Sequence, residues 1–250
     1  MRAGLLVAAV FAALVPVAGH AGEERESVSF MRGVFLSFEQ GGLVSFDSQD
    51  SLLELVQHCS RGGAVRDHTR GRSYRCGTTM LAGADAYSPI RVEILGVAPR
   101  DEGEVAHVFT IQPRRPAAWQ QRSLSAQEAQ GVAMLIKADP ARHGSLAARL
   151  DFAHAKAVSK PGSAFTTYFV PGEQVKDEEG YYDAQRHHVF VARRGVFSYQ
   201  GRLAARPTQY VDLDGDDFPE VVVEEGCDGL CISIWSVHSG PKRLGTLGGH

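Results

Sequence analysis

The stretch QYVDLDGDDFPEVVV, residues 209–223, carries the most specific signal in the chain. Its two ends, Gln209–Leu213 and Glu220–Glu224, have the β-branched and aromatic character of strands. Between them Asp212, Asp214, Asp216 and Glu220 stand at positions 1, 3, 5 and 9 of a loop. A hard cation such as calcium takes roughly six to eight oxygen ligands at about 2.3–2.6 Å. Alternate side chains of a tight loop converge on one centre, so this spacing predicts a cation site. Gly215 lets the chain curl between two ligands. The carbonyl of Phe218, at position 7, is placed to add a backbone oxygen, and Glu220 to close the shell from the next strand.

The surrounding charge points the same way. From Pro207 to Pro241 there is no Lys or Arg, and eight acids occur: Asp212, Asp214, Asp216, Asp217, Glu220, Glu224, Glu225 and Asp228. Acids without basic neighbours in sequence repel one another, and a divalent ion relieves that repulsion. The bland alternative is a solvated acidic turn. An EF-hand is excluded, since it needs Gly at position 6 and Glu at position 12, where this chain has Asp217 and Val223.

The segment VDLDGDDFPEVVV resembles the calcium loop of FG-GAP or VCBS-type repeats, found in integrin-like β-propellers and many exported bacterial proteins. The resemblance implies a D-x-D-x-D loop joining two strands of one sheet, with calcium as the ion. It is confined to this loop and its flanks, and one copy is present where a propeller needs several blades. Asp217 stands where glycine is common at position 6, and Glu220 where Asp is common at position 9.

Upstream, Phe165–Val170, His188–Ala192 and Val196–Gln200 read as strands, and Ile232–Val237 follows the loop as another. Turns are expected at Pro171-Gly172, Arg194-Gly195 and Gly215. Nearer the amino terminus, Phe30–Phe38, Leu43–Phe46, Arg91–Val97 and Val105–Ile111 are expected strands. Ser51–His58 has helical spacing, and Ser125 with Glu128 forms a capping box opening a helix to about Asp139. Ser60–Arg75 reads as a loop rich in Gly and Arg, Gln112–Pro116 as a linker or a chain reversal, and residues 149–158 fit helix or strand. The expectation is an α+β fold, with a β-rich C-terminal half forming an antiparallel sheet and short helices in the N-terminal and central parts. A signal segment at residues 1–21, an N-terminal α+β region at 22–115 and a C-terminal β-rich region at 116–250 complete the division.

The signal assignment rests on Met1-Arg2, an apolar run from Ala3 to Ala18, and small residues at Gly19 and Ala21. The run is shorter than the ~20 residues of a membrane-spanning helix, so cleavage after Ala21 is expected, leaving no transmembrane segment and a periplasmic or secreted chain. Four cysteines suit that compartment, and local pairing predicts Cys59–Cys76 and Cys227–Cys231. The competing zinc reading would need a second Cys or His pair at finger spacing, which is absent.

The 250 residues are 44% hydrophobic with a net charge of -3, which excludes a disordered polymer and does not suit a nucleic-acid binder. Arg61, Arg66, Arg70, Arg72, Arg75 and His68 lie between Cys59 and Cys76 with Asp67 as the sole acid. They form either a docking patch for an anionic partner or a solvated loop. Asp177-Glu178-Glu179 reads as an exposed turn. His187 and His188 face opposite sides of a strand, one packed and one solvent-facing, and Trp119 and Trp235 read as packing residues. No H-E-x-x-H, G-x-S-x-G or P-loop occurs. Ser163 or Ser198 would need a His and an Asp brought together in space. The leading expectation is an exported, non-enzymatic binding protein with one structural Ca2+, its partner a protein or envelope component. A periplasmic inhibitor or immunity-type protein that blocks a hydrolase is the alternative, followed by a cell-envelope hydrolase.

Overall fold

The computed structural model describes residues 31–38, 42–46, 49–76, 78–82, 91–94, 107–111, 119–139, 143, 146, 149–176, 183–225 and 231–247. The signal-type segment Met1–Ala21, the Gln112–Pro116 linker, Asp177–Glu179 and Cys227 lie outside the described residues. Among the described residues no helix is long and apolar enough to cross a membrane.

Three sheets, antiparallel in every strand pairing described, carry the fold. The first, sheet A, takes β1 (Val34–Phe38), β2 (Gly42–Ser45), β3 (Ala64–Asp67), β4 (Arg72–Arg75), β5 (Thr79–Ala82), β6 (Arg91–Ile94) and β7 (Val108–Thr110). Its order is β4-β3-β7-β1-β2-β6-β5. Sheet B is a meander of β8 (Gln120–Ser123), β9 (Lys156–Ser159), β10 (Phe165–Lys176), β11 (Asp183–Arg193) and β12 (Val196–Leu203). Sheet C is a second meander of β13 (Pro207–Val211), β14 (Glu220–Glu224), β15 (Ile232–Ser236) and β16 (Lys242–Leu247). Helix α1 (Gln49–Ser60) belongs with sheet A, and α2 (Ala126–Ala138) with sheet B.

Side-chain alternation decides the layering. On sheet A, Phe35, Leu43, Val65, Val92 and Phe109 pack against Leu52, Leu55 and Cys59 of α1. Those three helix positions are spaced by three and four, so they form one stripe. The opposite face of sheet A, with Val34, Leu36, Val44 and Val108, meets Val211, Leu213, Val222, Ile232 and Ile234 of sheet C and its loop. Val221, Phe218 and Val237 face the other way, onto Val158, Phe169, Val189, Val191 and Leu203 of sheet B. The far side of sheet B carries α2 through Val132 and Ile136. Sheet C is therefore the middle layer. Its β14 is buried on both faces, which is why Glu220–Val223 is an unbroken buried run in place of an alternating one. Each large aliphatic side chain so buried contributes about 1.5–3 kcal/mol.

The α+β expectation holds in its coarser sense: the chain is strand-rich with antiparallel sheets. Among the described residues the N-terminal region is about as strand-rich as the C-terminal one. Three further expectations are corrected. Ser60–Arg75 is not a loop; β3 and β4 pair as a hairpin with Ala64 opposite Arg75 and Asp67 opposite Arg72. Pro171-Gly172 is not a turn; β10 runs through it, with a bulge between Pro171 and Gln174. A bulge accepts proline because the local ladder is already interrupted. The ambiguous 149–158 segment leads into β9, and the Arg194-Gly195 turn is present with φ of 50° and 83°. His187 and His188 do lie on opposite faces, yet both are buried, at 5% and 1% exposure. His188 is enclosed by Tyr199 and Glu173, and the His187 ring bonds the Gln185 carbonyl, so neither histidine reaches solvent. The Ser125–Glu128 capping box forms with both hydrogen bonds, and Cys59–Cys76 is a disulfide.

Candidate metal centre

The loop from Asp212 to Pro219 joins β13 to β14, with Leu213 packed toward sheet A and Phe218 toward sheet B. It is folded by its own aspartates. Asp212 Oδ1 accepts the Gly215 N–H at 2.8 Å, Asp214 Oδ1 the Asp216 N–H at 2.9 Å, and Asp216 Oδ1 the Phe218 N–H at 2.6 Å. Such side-chain-to-backbone bonds are why Asp favours turns over regular structure. Gly215 has φ of 87°, the left-handed conformation the loop requires at its tip.

Asp212, Asp214 and Glu220 each bring an oxygen within 4.8 Å of the others. Asp212 and Glu220 are 5% and 1% exposed, while Asp214 is open to solvent. Glu220 Oε2 accepts the Leu213 N–H at 2.6 Å, closing the loop across its base. Burial pushes the Glu220 carboxyl up to about 9, and the charges of Asp214, Asp216 and Asp212 add to this against the Leu213 N–H. Three carboxylates at this separation fit a hard divalent cation in ligand type, since oxygen donors suit calcium and magnesium.

The five residues expected from sequence do not all converge. Asp216 is not part of the trio; its Oδ2 lies 3.1 Å from His238 Nδ1. Burial raises the Asp216 carboxyl above its usual range, and the charge of Asp214 adds to that. The Phe218 ring is buried, 4.9 Å from Phe165 and stacked at 4.5 Å on His238. It pins the loop into the interface of sheets B and C.

Two residues at the site escaped the sequence reading. Lys160, in the turn between β9 and β10, places Nζ 2.8 Å from Asp212 Oδ2 and donates to the carbonyl of Asp216. Its ammonium also sits 5.0 Å above the Trp119 ring. The loop thus has a basic neighbour in space that it lacks in sequence. His238, after β15, is the second. Ser163 and Ser198 make local bonds: Ser163 Oγ accepts the Phe165 N–H, and Ser198 Oγ donates to the Val191 carbonyl.

Compared with known proteins, the chain matches no family model, no curated protein sequence and no solved structure.

Proposed function

We propose that this is an exported, non-enzymatic binding protein whose β13–β14 loop takes one calcium ion as a structural clamp. The observation that carries the ion reading is the convergence of Asp212, Asp214 and Glu220 within 4.8 Å. A cation there ties the start of the loop to the first residue of β14, and so stabilises the middle sheet on which sheets A and B both pack. The signal-type segment Met1–Ala21 and the Cys59–Cys76 disulfide support export. At a hundredfold excess of ion over its dissociation constant the stabilisation is about 2.7 kcal/mol. Calorimetric scans with calcium and with chelator should therefore differ, and Asp214→Ala should abolish the difference. Equal melting temperatures in the two buffers would overturn the reading.

The Lys160–Asp212 contact favours one second reading, in which the ammonium alone compensates the loop. Calcium and chelator would then give the same melting curve, and loss of Lys160 would be the damaging change.

A further inference from the structure

We propose that the β3–β4 hairpin is a docking edge for an acidic, extended segment of a partner protein. The inference is separate from the β13–β14 loop and stands without it. Between Cys59 and Cys76 the chain carries five arginines and one acid, Asp67. That acid is 0% exposed. Its oxygens accept the N–H groups of Thr69 and Arg70, at 2.9 and 3.0 Å, and face His107 Nδ1 at 3.1 Å. The one carboxylate of this segment is turned inward, so at Arg61, Arg72 and Arg75 the surface presents guanidinium.

Arg61, Arg72 and Arg75 are exposed, and none forms an ion pair with a described residue. They sit on a stiff frame. The Cys59–Cys76 disulfide fastens the end of α1 to the end of β4. Strand β4 is the outermost strand of sheet A. The Cys76 N–H donates to the Gly63 carbonyl at 3.0 Å, which sets the phase of the pairing. Residues 72, 74 and 76 then direct their backbone groups at β3, and Ser73 and Arg75 direct theirs at the open edge.

Among the described residues no strand pairs with the outer edge of β4, and such an edge flanked by arginines offers two kinds of contact at once. Backbone groups pair with an added strand, and planar guanidinium forks hold carboxylates two bonds at a time. Only a polypeptide uses both; a sulfated polymer or a lipid headgroup uses the charge alone. Arginines on an edge also serve simply to repel unwanted strands, and the experiment separates that role from docking.

The test uses the full chain in chelator, so that calcium plays no part. The probe is a short synthetic peptide alternating Glu and Thr, its backbone N-methylated in a second version, with dextran sulfate and anionic vesicles alongside. Peptide binding that weakens with salt, falls about tenfold or more in the Arg61→Ser, Arg72→Ser, Arg75→Ser variant, and is lost on N-methylation supports the proposal. Binding of dextran sulfate or vesicles in place of the peptide overturns it. So does peptide binding indifferent to N-methylation, and so does no binding at all. The N-methylated probe on the unmodified protein keeps the test decisive should the triple variant fold poorly.

Discussion

Lys160 holds its Nζ 2.8 Å from Oδ2 of Asp212, with the two side chains 15% and 6% exposed. The pair joins the β9–β10 turn of sheet B to the loop of sheet C. It is the one basic contact to Asp212 among the described residues, and it competes with any cation for that carboxylate.

Replacing Lys160 with Met should destabilise the protein by about 2–3 kcal/mol in chelator. Breaking a buried ion pair leaves an uncompensated charge, and the partial exposure of Lys160 tempers the cost. Urea unfolding of Lys160→Met, Asp212→Asn and the double variant measures the coupling. Additive single effects would show that the contact contributes nothing. If the loop takes calcium, Lys160→Met should also bind it more tightly, because the competitor is gone.

Glu128 predicts an acid-side loss of stability. Its carboxylate accepts two hydrogen bonds from Arg122 at 2.6 Å, one from the Ser125 N–H at 2.8 Å and one from Tyr168 Oη at 3.0 Å. The Arg122 bonds, with Ser125 and Tyr168 helping against burial, lower its pKa to about 2. A depressed carboxylate contributes stability that is complete above its unfolded value and is lost as pH falls through the folded one. The window therefore runs from about pH 4.5 down to about pH 2. Glu128→Gln keeps the capping geometry and removes the charge, so it should cost about 1 kcal/mol near neutral pH. The gap to the unmodified protein should close below the window; a gap that is constant with pH would count against the account.

Gly172→Ala should destabilise by roughly 1–3 kcal/mol, as overpacking does. A Cβ there would lie 2.7 Å from the His188 ring. That ring is held on both sides, by Tyr199 Oη at 3.0 Å and Glu173 Oε2 at 3.3 Å, and cannot easily give way. Thermal unfolding checks the direction, and an unchanged midpoint would mean the bulge relaxes.

Legibility from sequence followed the range of the interactions. The Ser125–Glu128 box, the Arg194-Gly195 turn and the strands on either side of the acidic loop depend on residues a few positions apart, and each appeared where expected. The Arg-rich hairpin did not read as strand, because its exposed Arg72–Arg75 edge shows no apolar alternation. The Pro171 bulge read as a turn because proline and glycine serve both. Both histidines of β11 are buried because each lies in the middle of its strand against partners distant in sequence, His188 between Tyr199 and Glu173.

Taken alone, the order of residues placed Asp212, Asp214, Asp216, Phe218 and Glu220 on one short acidic loop between two strands, and the structure brings oxygens of Asp212, Asp214 and Glu220 within 4.8 Å. The order also determined that Cys59 could reach Cys76. Tertiary structure decided that Lys160 and His238 face the loop, that Asp216 turns to His238, and that Asp67 is buried against His107. Those contacts join turns and edges of separately formed sheets, and no periodicity in the chain records which turn will meet which once the layers pack.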